Sequence, residues 1–150
     1  MKFLIVAILS LSFYSYSASA SADHRNIVLQ DQLNLPSEVD GPLNLSGIFS
    51  FQDFILPKSV KGDLFLSGLY KAELLFFPDE VLGSIYAETM TSGKELVLPK
   101  IVAGGIYFDR LVETTILEFP IYISKDINLE NLVTFDRISL PRVVGGDLSL

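Results

Sequence analysis

Apolar side chains recur along residues 35–150 at a fixed interval of 21. Pro36, Pro57, Pro78, Pro99, Pro120 and Pro141 mark that period with no insertion or deletion. Counted from each proline, the preceding position is leucine or phenylalanine, and the third position after it is Val39, Val60, Val81, Val102, Ile123 or Val144. The seventh is Leu43, Leu64, Ile85, Ile106, Ile127 or Leu148, and the ninth is Leu45, Leu66, Ala87, Phe108, Leu129 or Leu150. Positions seven and nine alternate with polar or variable neighbours, which predicts a short strand with one buried face. These strands fall over residues 43–46, 64–67, 85–88, 106–109, 127–130 and 148–150. The apolar residues just before each proline predict a second short strand over 54–56, 75–77, 96–98, 117–119 and 138–140, which the proline ends by removing a donor.

The segment from each proline to the next glycine, such as 57–61, reads as a corner of one 3₁₀ turn. Gly41, Gly62, Gly83, Gly104 and Gly146 stand five after a proline, where a tight or positive-φ turn favours glycine. Lys125 takes that place once, so its turn is expected to use negative φ or to carry strain. A fixed period of this size signals a solenoid, in which each repeat buries its apolar face only against its neighbours. The fold expected is a mainly β, right-handed parallel β-solenoid of six 21-residue coils, the last incomplete, with little or no helix.

Leu56-Pro57-Lys58-Ser59-Val60-Lys61-Gly62-Asp63-Leu64-Phe65-Leu66-Ser67-Gly68-Leu69 resembles one unit of bacterial leucine-rich-repeat-like proteins, and 140–150 matches the pattern again. The Gly-x-Leu-x-Leu centre is also similar to the solenoid of receptor L domains. The resemblance implies a leucine-rich-repeat-like solenoid in a secreted or surface protein that binds other proteins, and it transfers no catalytic residue. The asparagine that follows the strand in the general leucine-rich motif is replaced here by Ser67-Gly68 or by unrelated residues, so no asparagine ladder is expected.

The first twenty residues read differently. Lys2, an apolar run over 3–13 and the small-x-small Ala18-Ser19-Ala20 form a cleavable secretory signal, too short to span a bilayer comfortably. Residues 21–34 are then an N-terminal cap or tail ahead of the repeats. The expected location is secreted, periplasmic or at the cell surface, with no stable membrane insertion after cleavage. The chain has no cysteine, so packing alone must hold it. Its net charge of −7 disfavours nucleic acid and anionic membrane as partners.

Little in the chain suggests catalysis. His24 is the single histidine and falls in the expected tail, and there is no P-loop. No zinc ligands exist beyond that histidine and carboxylates. No cofactor or metal is expected. Two columns of side chains carry the functional interest. Position eight reads Asn44, Phe65, Tyr86, Tyr107, Asn128, and position ten reads Ser46, Ser67, Glu88, Asp109, Glu130. Stacking places each column at about 4.8 Å per step. Phe65, Tyr86, Tyr107, Glu88, Asp109 and Glu130 are therefore the candidate ligand-binding face, for a protein partner or for sugar rings stacked on the aromatics. Plain surface residues, a calcium site, or two carboxylates cleaving a glycan are the competing readings of the same columns. With the final strand uncovered, the chain is either a fragment of a longer array or able to join another copy end to end, unless its last coil frays. The sequence thus points to a non-enzymatic binding module, with a structural module lacking a defined ligand as the alternative and a polysaccharide-acting enzyme behind both.

Overall fold

A computed structural model describes residues 22–23, 35–46 and 55–150. It is all-sheet, with no helix among the described residues. Parallel strands stack as a β-solenoid of about five turns at 21-residue spacing. The expected signal segment 1–20, His24 and most of the expected cap lie outside the described residues. Ala22–Asp23 does appear, as a strand paired in parallel with Leu43–Asn44.

Among the described residues, four successive coils contribute to all three sheets. Sheet A contains Ala22–Asp23, Leu43–Asn44, Leu64–Phe65, Ile85–Tyr86, Ile106–Tyr107, Ile127–Asn128 and Leu148–Ser149. Sheet B contains Glu38–Val39, Ser59–Val60, Glu80–Val81, Ile101–Val102, Tyr122–Ile123 and Val143–Val144. Sheet C contains the longer strands Lys71–Phe76, Ser92–Val97, Glu113–Glu118 and Thr134–Ser139. Partners across every interface between repeats differ by 21, as in Ser59↔Glu80, Leu64↔Ile85 and Leu75↔Leu96. The prolines stack with them, and Pro57, Pro78, Pro99 and Pro120 are buried at one corner.

Sheet B corrects the expected 3₁₀ corner. The two residues before each glycine-bearing turn are a strand, because Lys58 and Lys61 donate their backbone N–H groups to Ser37 O and Val39 O of the coil before, at 2.7 and 2.8 Å. Only one side chain per coil, the valine or isoleucine of position three, points inward here. One inward residue leaves no periodicity to read.

Sheet C also differs from expectation. Its strands begin four residues earlier than predicted, and their inward positions are three apart, as in Ala72 and Leu75. Pairing runs Lys71↔Ser92 and Ala72↔Gly93, then resumes at Leu74↔Glu95. Skipping Glu73 and Lys94 bends the strand, which lets two inward side chains sit three apart instead of two. At the bend the inward residue is small. A Cβ on Gly93 would lie 2.6 Å from Leu96 Cδ2.

The interior is one continuous apolar cluster built from equivalent positions of successive coils. Leu43, Leu64, Ile85 and Ile106 show no exposure, and neither do Phe108 and Leu117. Sizes are matched between coils. Small Ala87 precedes large Phe108 in one column, and Phe108 meets Phe77 edge to face with centroids 6.2 Å apart. Such interdigitation, rather than any single coil, carries the stability.

The corner glycines serve clearance, not handedness. Among the described glycines only Gly68 has positive φ, at 122°. A Cβ on Gly62 would fall 2.5 Å from Pro42 N, and on Gly83 it would fall 2.5 Å from both Asp63 N and Gly62 C. One on Gly104 would lie 2.5 Å from Gly83 C. Backbone from adjacent coils touches at this corner, so a side chain has no room. Beside the exceptional Lys125 the neighbouring coils each carry a second glycine. A Cβ on Gly105 would lie 2.7 Å from Asp126 O, and one on Gly145 would run into Ser124 O. The coil with a lysine corner is thus flanked by glycines that make way for its backbone.

Candidate functional site

The strands of sheet A are two residues long, shorter than predicted, because each coil turns immediately afterwards. Leu69, Met90, Leu111 and Leu132 donate to the carbonyls three residues back, at 3.1, 3.1, 3.2 and 2.9 Å, closing β-turns. Position ten is the first central residue of each turn. Glu88, Asp109 and Glu130 therefore stand on turns along the edge of sheet A, not on its strands, which corrects their expected placement. Ser67-Gly68 occupies the same turn in the second coil, where Gly68 supplies the left-handed conformation at the second central position.

Position eight behaves as expected. Phe65↔Tyr86 and Tyr86↔Tyr107 are register pairs, and their rings form a continuous stack. Phe65 and Tyr86 have centroids 5.0 Å apart and planes 6° from parallel. Tyr86 and Tyr107 have centroids 5.1 Å apart at 10°. Planes in contact lie about 3.5 Å apart, so each ring is slid sideways by a similar distance. The three rings overlap like roof tiles. The offset leaves part of each π face uncovered by the neighbouring ring, and all three residues are half-buried.

The ladder ends at asparagines. Asn44 pairs with Phe65 and Asn128 with Tyr107. Each asparagine turns its Oδ1 onto its own chain, accepting from Ser46 N at 2.9 Å and Glu130 N at 3.1 Å. Both side chains are thus held by an Asx turn. Tyr107 leans back over Gly105, where a Cβ would lie 2.7 Å from its Oη. Gly105 was invisible as part of the site in the sequence, because the double glycine reads as a turn.

A second hydrogen-bonded column runs along the opposite edge of the ladder, at position six. Asp63 Oδ1 accepts from Ser84 N at 2.7 Å, Ser84 Oγ from Gly105 N at 3.1 Å, and Asp126 Oδ1 from Asp147 N at 2.8 Å. Each side chain caps the amide 21 residues ahead, which ties coil to coil. Sequence reasoning missed this column, although Asp and Ser just before a strand are the residue types that cap amides. Burial pushes the phenol of Tyr107 above its ordinary value, and the negative field of Asp126, Tyr86, Asp109 and Asp63 adds to it.

Along the turn edge Asp109 is only partly exposed, and its Oδ1 is sealed from solvent without a hydrogen-bond partner. Glu88 and Glu130 are exposed. Asn131 donates to the Asp109 backbone carbonyl, bracing that turn. Among the described residues no group of three or more His, Cys, Asp or Glu is placed to hold a metal ion.

No protein-family model, curated protein or solved structure matches this chain. Its class rests on its own geometry. It is a parallel β-solenoid with three sheets, carrying an aromatic ladder on one face.

Proposed function

We propose that this chain is an exported, non-enzymatic repeat domain of the leucine-rich-repeat-like kind, and that it binds a protein or glycan through the face of sheet A. The observation that carries the reading is the stack of Phe65, Tyr86 and Tyr107, three half-buried rings in register on an outer face. Aromatic rings in rigid positions offer large contact area at little entropic cost, which is why binding surfaces favour them. Glu88 and Asp109 line one edge of that stack, Glu130 follows one coil further on, and their carboxylates supply acceptors. The export signal at 1–20 and the repeat pattern Leu-Pro-x-x-Val-x-Gly-x-Leu-x-Leu support a secreted, periplasmic or surface location.

The test is an array of immobilised oligosaccharides and synthetic peptides, probed with wild type and with Tyr86→Ser/Tyr107→Ser. The wild type gives signals that the folded double variant loses. A folded variant that retains every signal, or a wild type with none, rejects the reading. Hydrolysis of a polysaccharide that stops with Glu88→Gln or Asp109→Asn would replace it with an enzyme.

A further inference from the structure

Charge is spread unequally over the three faces. Positions six to ten, the strip that carries the ladder, contain Asp63, Glu88, Asp109, Asp126, Glu130 and Asp147 and no lysine, arginine or histidine. Lys125 and Arg110 stand one position outside its two margins. Ion pairs form elsewhere. Lys61–Asp40 at 2.6 Å and Lys100–Asp79 at 2.9 Å flank sheet B, while Lys94–Glu73 at 3.7 Å and Arg137–Glu118 at 2.5 Å lie on sheet C. Among the described residues none of the six acids of the strip makes an ion pair.

Beside the aromatic stack itself stand Asp63 on one edge and Glu88 and Asp109 on the other, while Asp126, Glu130 and Asp147 continue the acidic strip over the two coils beyond Tyr107. Tyr107 feels them directly, since Asp126, Asp109 and Asp63 all help to keep its phenol protonated. A field that disfavours a phenolate favours a cation in the same place. The offset rings leave part of each π face uncovered by its neighbour, and a cation over a tyrosine face gains further. A neutral sugar would leave the six charges uncompensated, and an acidic glycan would be repelled.

Building on the binding face proposed above, we infer that its partner is a basic protein segment, whose arginine or lysine side chains lie along the Phe65–Tyr86–Tyr107 stack and the carboxylates of the same strip. The dimensions agree. The stack spans about 10 Å from first to last ring. Two side chains on the same side of an extended segment are about 7 Å apart, so both fit along it.

Labelled nona-arginine, nona-glutamate and cellohexaose serve as probes at near-physiological salt. Nona-arginine binds the wild type and the other two do not. Tyr86→Leu/Tyr107→Leu leaves the charge unchanged and weakens nona-arginine binding about tenfold, the effect of losing two cation–π contacts. Tyr86→Phe/Tyr107→Phe keeps the rings and holds affinity within about twofold. Glu88→Gln/Glu130→Gln weakens binding several-fold. Glu38→Gln/Glu80→Gln removes the same charge from sheet B and changes affinity by less than about twofold. Circular dichroism confirms that each variant is folded.

Equal losses from the two acid pairs would reveal unlocalised attraction to a −7 chain and overturn the inference. So would nona-arginine binding that ignores the Tyr→Leu change, or no nona-arginine binding at all. If cellohexaose binds and depends on the tyrosines, the basic partner is rejected while the binding face stands. If the Tyr→Leu pair alters binding of no probe, the binding face falls as well.

Discussion

Sheet A and the flank of sheet B are built from the same 21-residue step, yet they handle charge in opposite ways. On sheet B, Lys61 reaches back to Asp40 and Lys100 to Asp79, each across one coil. Stacking converts opposite charges at the same repeat position into a neutral rail. On sheet A, stacking brings acid next to acid and ring next to ring. Asp63, Ser84 and Asp126 spend acceptors on amides of the following coil, and among the described residues no cation forms an ion pair with the acids of this strip. The same geometry that satisfies one face leaves the other with surplus negative charge and aromatic surface. The flank of sheet B is internally paired, whereas the face of sheet A is the one proposed above to receive a partner.

Four changes break or sharpen that contrast. The largest effect is expected from the corner that sets the stacking distance for both faces. Gly83→Val puts a branched side chain where a Cβ already falls 2.5 Å from Asp63 N, with backbone that cannot retreat. A loss of about 3 kcal/mol or more in urea unfolding is expected. If stability holds, coil-to-coil clearance is not what the glycine provides.

Next comes the column of capped amides on the ladder side. Ser84 is buried, and its hydroxyl accepts from Gly105 N. Ser84→Ala should cost about 1 kcal/mol and speed exchange of the Gly105 amide. Unchanged exchange would show that the cap is dispensable.

A smaller effect separates the faces by pH. The Tyr107 phenol has a folded pKa above its unfolded one. The stability tied to its neutral form is fully present below the ordinary phenol value and is lost as pH rises through the higher folded value. Tyr107→Phe should flatten the alkaline fall in stability and remove a late step from the absorbance titration of tyrosinate. An alkaline profile identical to wild type would contradict the burial and field at that ring.

The smallest effect belongs to the paired rail. The Asp79 carboxyl is held below its usual value, first by the hydrogen bond from Lys100 and then by its charge. Its contribution is present above the usual carboxylate range and lost as pH falls through the lowered value. Both groups are solvent-exposed, so Lys100→Met should shift the melting temperature only slightly, and less at high salt. A large shift would mean that the rails, not the core, hold the coils together.

Much of this was visible in one dimension. The constant spacing of the prolines predicted that they would pile up at one corner, and four of them are buried there. Tyr86 and Tyr107 sit at equivalent repeat positions, so their meeting followed from the period. Other features were not visible. Ser59 and Val60 form a strand with one inward residue, too little to show alternation. Lys71–Phe76 bends at Glu73 and buries positions three apart, a pattern belonging to neither a flat strand nor a helix. Glu88 looked like the end of a strand because Ile85 and Ala87 alternate correctly, but the chain already turns at residue 88.

Period, inward positions and the aromatic column belong to the chain read as a line, because every equivalent residue must repeat its surroundings once the coils stack. The reason for the corner glycines, the third sheet, the capped amides and the sorting of charge into paired rails and an unpaired face came only with the stacked coils. Each of these depends on an atom 21 residues away, and the distance across that gap is set by backbone contact between coils, which no local pattern encodes.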